Sequence, residues 1–134
     1  MNSPVLTGVQ TQDVPAIWPF VEGMLTDGVR TRNPEYDGAE TYSLLVSGYA
    51  QLWLATSPGR QIEAVLITEI TDEGDCNIRS LVGEDFPRWL GLLGDIEDWA
   101  KANGCKRMTT RARMGWKRAL KGYKTTSVFM EKDL

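Results

Sequence analysis

Two runs of apolar, mostly β-forming residues lie almost back to back in this chain, and they constrain the fold more than any other feature. Ala50-Gln51-Leu52-Trp53-Leu54-Ala55-Thr56 and Ile62-Glu63-Ala64-Val65-Leu66-Ile67-Thr68-Glu69-Ile70 are separated only by Ser57-Pro58-Gly59-Arg60. Proline and glycine in so short a connection favour a tight reversal, so the two runs read as an antiparallel hairpin. Neither run alternates cleanly between apolar and polar residues. Strands of that kind are covered on both faces, which calls for helices above and below the sheet.

The flanking sequence supplies them. Val5–Val9 reads as a short strand, and Asp13 is placed as an N-cap with Pro15 in the first turn of a helix. Ile17, Phe20, Val21, Met24 and Leu25 recur at the three-and-four spacing of a buried helix face, with Gly28 expected as its end and residues Val29–Asp37 as a loop. A second helix is expected over Gly38–Ser47, burying Thr41, Leu44 and Leu45 and stopping at Gly48. Beyond the hairpin, Thr71–Asp75 is a polar turn and Cys76–Val82 a third central strand. Phe86–Asn103 then carries Trp89, Leu90, Leu92, Leu93, Ile96, Trp99 and Ala100 on one helical face, with Gly104 just past its end. Lys106–Ala112 alternates toward a strand, Met114–Lys121 reads as a short helix, and Thr125–Lys132 as a last strand. The order β-α-α-β-β-β-α-β-α-β describes an α+β domain. After the long helix the chain must return beside the third central strand, by a right-handed crossover that makes a locally parallel pair. The expected product is a mixed sheet with helices on both faces.

Composition bounds the chemistry. The chain has 134 residues, 42% of them hydrophobic and 25% charged, the balance of one soluble globular domain spanning 1–134. No apolar run reaches the roughly 20 residues of a membrane span, and the N-terminal residues have no secretory-signal pattern. With 0 histidines, Ser-His-Asp and Cys-His catalysis are excluded along with the commonest zinc ligand. Cys76 and Cys105 are too few for a thiolate metal site, and a reducing compartment favours two buried free thiols over a disulfide. No Walker loop, EF-hand loop or Gly-x-Gly-x-x-Gly occurs. The net charge of −3 is unevenly spread: Glu69–Asp98 holds nine acidic residues against two basic ones, whereas Cys105–Lys124 holds eight basic residues and no acid. Such a basic segment either complements the charge of a neighbouring element or meets an anion, whether cofactor phosphate, nucleic acid or an acidic protein surface.

With this element order the chain resembles the GNAT N-acetyltransferase superfamily over nearly its whole length. Its last third is similar to small GNAT-like proteins of tailed bacteriophages. The residues that carry this are Trp89-Leu90-Gly91-Leu92-Leu93, Ile96-Glu97-Asp98-Trp99-Ala100, Asn103-Gly104-Cys105, the Arg113, Gly115, Trp116, Arg118, Leu120, Tyr123 pattern, and the Glu131-Lys132-Asp133-Leu134 tail. The resemblance implies acetyl-CoA held by backbone N–H groups in the turn between the third central strand and the long helix. Here that turn is Val82-Gly83-Glu84-Asp85-Phe86-Pro87. It has one glycine where the family motif has two, it sets two carboxylates where phosphates would approach, and Pro87 lacks an N–H. Val82, Gly83 and Glu84 are the cofactor-binding residues if acetyl-CoA binds.

Glu69 and Tyr123 are residue types able to move a proton, but Tyr123 falls where the family packs an aromatic, and no catalytic residue is assigned. Trp116 and Leu120 anchor the short helix in the core. Arg111, Arg113, Lys117, Arg118 and Lys121 project from it as a partner-binding face. The leading expectation is therefore a phage GNAT-fold protein without ordinary cofactor or metal, acting as a virion- or assembly-associated binding protein. Its partners would be phage structural or assembly proteins, or DNA through the basic face, in the host cytoplasm or the virion. The alternative is an active N-acetyltransferase that passes acetyl from acetyl-CoA to an amine. A further alternative is a small inhibitor of a host factor.

Overall fold

The computed structural model describes residues 4–30, 36–59, 61–83 and 90–110. Their elements run β1 (Val5–Val9), α1 (Val14–Arg30), α2 (Gly38–Val46), β2 (Ala50–Thr56), β3 (Ile62–Ile70), β4 (Asp75–Gly83), α3 (Leu93–Ala102) and β5 (Arg107–Thr110). This is the expected order as far as Thr110; the helix over Met114–Lys121 and the strand over Thr125–Lys132 lie outside the described residues. The strands form one sheet in the order β1-β2-β3-β4-β5. The first three pairings are antiparallel and β4–β5 is parallel. None of the described helices is long and apolar enough to cross a membrane.

Local chemistry sets the element ends. Asp37 caps α2, its Oδ1 accepting from the backbone N–H of Ala39 (2.9 Å) and Glu40 (3.3 Å). Gly48 follows the helix with φ +81°, a left-handed turn that a side chain would strain. Helix α3 ends as its Asn103-Gly104 sequence suggests. Gly104 takes φ +84°, its N–H donates to Lys101 O (3.0 Å), and the Cys105 N–H donates to Ala100 O (2.9 Å). That pair of bonds is a Schellman cap. It turns the chain straight onto the sheet, where the Lys106 N–H donates to Gly74 O (3.0 Å) and β5 begins beside β4.

The two hydrophobic clusters sit on opposite faces of the sheet, and strand parity sorts residues between them. Leu52 and Leu54 of β2, Val65 and Ile67 of β3 and Val82 of β4 pack with Val14, Val21, Leu25 and Leu45 of the first two helices. Trp53, Ala55, Ala64, Leu66, Ile78 and Leu81 pack with Leu93 and Ile96 of α3. Ile78 and Leu81 are three apart and still share a face. The register explains it: Ile67 pairs with Ser80 but Thr68 with Ile78, so Arg79 is an extra residue and a β-bulge resets the parity of β4.

Two expectations for α1 are corrected. Phe20 was placed on the buried face but is 69% exposed. The sheet lies under Val14, Val21 and Leu25, and Phe20 is displaced from that line by roughly 100° of arc. Trp18, on the opposite flank, turns inward instead because α2 lies beside it, and its ring meets Tyr42 at 5.3 Å. Gly28 does not end the helix, which runs on to Arg30. Its role is close packing, since a Cβ there would fall 2.5 Å from Val82 Cγ1. In the other helices Thr41 and Leu45 are buried as expected and Leu44 half-buried, while Leu93, Ile96 and Ala100 line the inner face of α3.

Candidate functional site

Strand β4 is nine residues long, and among the described residues its first four, Asp75–Ile78, pair with Arg107–Thr110 of β5. From the bulge at Arg79 to Gly83 its β5-side edge has no ladder partner among the described residues. That half-strand presents backbone N–H and C=O groups for an extended ligand, as any free strand edge does. In sequence it leads directly into residues 84–89, which precede α3.

The paired half is fastened by side chains as well as by the ladder. Asp75, 4% exposed, accepts two bonds from Arg107, from Nε at 3.1 Å and from Nη2 at 2.8 Å. This two-point pairing matches the planar fork of a guanidinium, and it holds the Arg107 pKa above its ordinary value through hydrogen bonding first and charge second. Thr109 Oγ1 donates to Asn77 Oδ1 (3.0 Å), and Thr110 Oγ1 to Ile78 O (3.3 Å).

At the bulge the side chains turn polar on the side of α1 and α2. Arg79 reaches Glu69 at 3.1 Å and Glu40, in the first turn of α2, at 3.6 Å. Asn77 Nδ2 donates to the other Glu69 oxygen at 3.4 Å. Glu69, expected from residue type alone, thus sits beside the β4 bulge, with both carboxylate oxygens engaged. Its partners Glu40, Asn77 and Arg79 carry no sequence signal beyond Arg79 being the one basic residue of β4.

On the α3 side lies a second polar group. Trp53 Nε1–H donates to Thr68 Oγ1 (2.9 Å), whose hydroxyl donates to Gln51 Oε1 (2.9 Å), and the Trp53 ring meets Trp99 edge-on at 5.1 Å. Cys76 is fully buried here, and burial above all, with Cys105 adding to it, pushes its thiol pKa up to about 11. Both cysteines are free, as expected, although Cys105 is half-buried and not buried. Among the described residues no three acidic, cysteine or histidine side chains gather to hold a metal.

Of the three residues assigned to a cofactor, two are described. Val82 points into the α1 cluster, so it contributes main chain rather than side chain to the free edge. Gly83 is shaped by its neighbour strand: a Cβ there would lie 2.8 Å from both Ala64 Cβ and Glu63 O. Glu84 lies outside the described residues, as do Tyr123 and the whole proposed partner face of Arg111, Arg113, Lys117, Arg118 and Lys121.

No protein-family model and no curated protein sequence matches the chain. Solved structures do. An aminoglycoside acetyltransferase from an uncultured soil metagenomic sample, solved in complex with sisomicin, matches with a TM-score of 0.71 at 14% identity, over 98% of this chain and 96% of its own. An aminoglycoside antibiotic 6'-N-acetyltransferase from Acinetobacter baumannii matches at 0.66 and 16% identity, over 98% and 99%. A protein from Clostridium acetobutylicum described as a predicted acetyltransferase, solved with acetyl-CoA, matches at 0.64 and 16%, over 97% and 96%. Identities this low speak to architecture alone. Sheet order, bulge, crossover and these neighbours agree on one conclusion: this chain has the GNAT fold.

Proposed function

We propose that the chain transfers an acetyl group from acetyl-CoA to an amine. The observation that carries this reading is the edge of β4 from Arg79 to Gly83, which follows the bulge and has no ladder partner among the described residues. The reading is supported by the acetyltransferase neighbours, one of them solved with acetyl-CoA. Acetyl-CoA, when bound, supplies a thioester carbonyl and a long arm containing two amides. Main-chain groups of Arg79–Gly83 fit such an arm, because a strand edge can pair with amides in an extended chain. Glu69 and Glu40 flank Arg79 and leave a net negative charge on the α1/α2 side of that edge. This charge draws in the ammonium form of an amine. The attacking amine must lose a proton as its nitrogen bonds to the carbonyl carbon and the carbon–sulfur bond breaks; no residue is assigned to take it.

One sequence observation favours a second reading. Glu84, Asp85 and Pro87 follow the free edge, and carboxylates with a missing N–H oppose a pyrophosphate. A chain that does not hold acetyl-CoA would instead be a binding protein for phage structural or assembly proteins, or for DNA, through Arg111, Arg113, Lys117, Arg118 and Lys121. Thermal unfolding with acetyl-CoA decides between them. A ligand at 100 times its dissociation constant adds about 2.7 kcal/mol to the stability of the protein that binds it. The acetyltransferase should show that stabilisation, together with thiol release that depends on added amine. No stabilisation at millimolar acetyl-CoA overturns the enzyme and leaves the binding protein.

A further inference from the structure

We infer that the groove between α1 and α2 is a binding site for an organic ammonium ion, a property that does not rest on acetyl transfer. The groove is open to solvent, has a volume of about 310 Å³, and is lined by Trp18 and Glu22 from α1 and by Gly38, Ala39 and Tyr42 from α2. That size suits one small ligand. Trp18 and Tyr42 form its walls, with ring centroids 5.3 Å apart and planes inclined at 59°. Two inclined aromatic faces present negative π-density to the space they share, which attracts a cation and offers little to an anion. Both rings are half-buried, so their backs rest on the core while part of each remains open to the groove.

Glu22 lies one helical turn beyond Trp18 on α1 and is exposed, which sets a carboxylate at the rim of the aromatic walls. Among the described residues, no lysine or arginine lines the groove. The opposing influence is the N-terminus of α2, whose dipole carries roughly half a positive charge. Asp37 cancels it. Its carboxylate already accepts from Ala39 and Glu40, so the N–H groups that would greet an anion are occupied and the cap brings a full negative charge. Gly38 and Ala39, small residues facing two large rings, keep the floor of the groove open. Aromatic walls, a rim carboxylate and a neutralised helix end together select a cation with an apolar surface, such as an alkylated ammonium, over a bare metal ion or a neutral molecule.

The test uses the intact chain in proton–nitrogen correlation spectra without acetyl-CoA, following the indole signal of Trp18, assigned through its loss in Trp18→Phe. Tetramethylammonium chloride is titrated at constant ionic strength, with neopentyl alcohol as the neutral molecule of the same shape. The cation should give a saturable shift, and its dissociation constant should be at least about fivefold lower than that of the alcohol. Glu22→Gln, an exchange at an exposed position, should weaken the cation several-fold and leave the alcohol unchanged. Tyr42→Leu should weaken the cation further while the remaining signals keep their positions. Equal affinity for the alcohol, an unchanged cation affinity in Glu22→Gln, or a shift that never saturates would each overturn the assignment.

Discussion

Helix α1 packs on the sheet through Gly28 against Val82, near the end of β4, and a single methyl group tests that contact. In Gly28→Ala the new Cβ would lie 2.5 Å from Val82 Cγ1, 2.9 Å from Val82 Cβ and 3.9 Å from Cγ2. Carbon atoms in ordinary contact stand about 3.5–4.0 Å apart, so about 1 Å of separation is missing. Turning the valine about χ1 moves Cγ1 away but leaves its Cβ at 2.9 Å, so helix or strand must move as a backbone. Overpacking of this kind costs about 1–3 kcal/mol. Alanine recovers about 0.8–1 kcal/mol through helix propensity. Because backbone movement puts the strain in the upper part of its range, the net loss should be about 1–2 kcal/mol. Val82→Ala alone should cost about 1.5–2.5 kcal/mol, from lost burial and the space left behind. Combined, the two changes should cost about 1 kcal/mol less than their sum, since the alanine methyl occupies the volume that Cγ1 vacates; the Cβ contact that remains keeps the double variant below the parent. Urea unfolding followed by circular dichroism, with equal slopes across the four proteins, measures all three values. A Gly28→Ala protein more stable than the parent, or additivity within about 0.5 kcal/mol, would refute the packing argument.

Two further outcomes follow from the face under α3. Cys76 is held neutral by burial, with its pKa raised from 9.0 to about 11. The unfolded chain ionises this thiol first, so the stability linked to it is complete below about pH 9 and is lost as pH rises through about 11. Comparing melting temperatures of the parent and Cys76→Ala across that window isolates the effect; parallel curves would contradict it. Thr68→Val keeps the shape of a fully buried side chain but removes the acceptor of the Trp53 indole N–H. Leaving that donor unpaired should cost about 1–3 kcal/mol in urea unfolding, and a neutral substitution would mean that the indole finds another partner.

The parts of the fold that could be read from sequence are those fixed by local chemistry. Strands β2 and β3 begin and end where their apolar runs do, because Ser57-Pro58-Gly59 cannot continue a strand and the Ser57 N–H closes the turn on Gln61 O at 2.9 Å. The glycine stops at Gly48 and Gly104 were legible for the same reason, as was the parallel return of β5. What escaped is what depends on a neighbour. The period of α1 could not distinguish which flank meets α2, so Phe20 was assigned the place that Trp18 takes. Gly28 looks like a stop in isolation and is a packing contact only because Val82 lies against it. The site divided likewise. Glu69 and Val82–Gly83 were marked by residue type and family motif, whereas Arg79, Asn77 and Glu40 come together only through register and a bulge, which leave no trace in composition.

That bulge joins the fold to its proposed chemistry. Were β4 regular through Arg79, Ile78 and Leu81 would face opposite sides of the strand, and one of them would leave the α3 cluster for the α1 cluster. Bulging Arg79 out of the ladder therefore preserves the core packing of a strand that must serve two layers. Its geometric consequence is local bending and added twist at one point, and that point lies just past Ile78, the last β4 residue paired with β5. It is also where the guanidinium of Arg79 comes within reach of two carboxylates from different elements. The irregularity that keeps both cores filled thus sits at the start of Arg79–Gly83, the stretch proposed to receive an extended ligand, so packing and proposed function draw on the same residue.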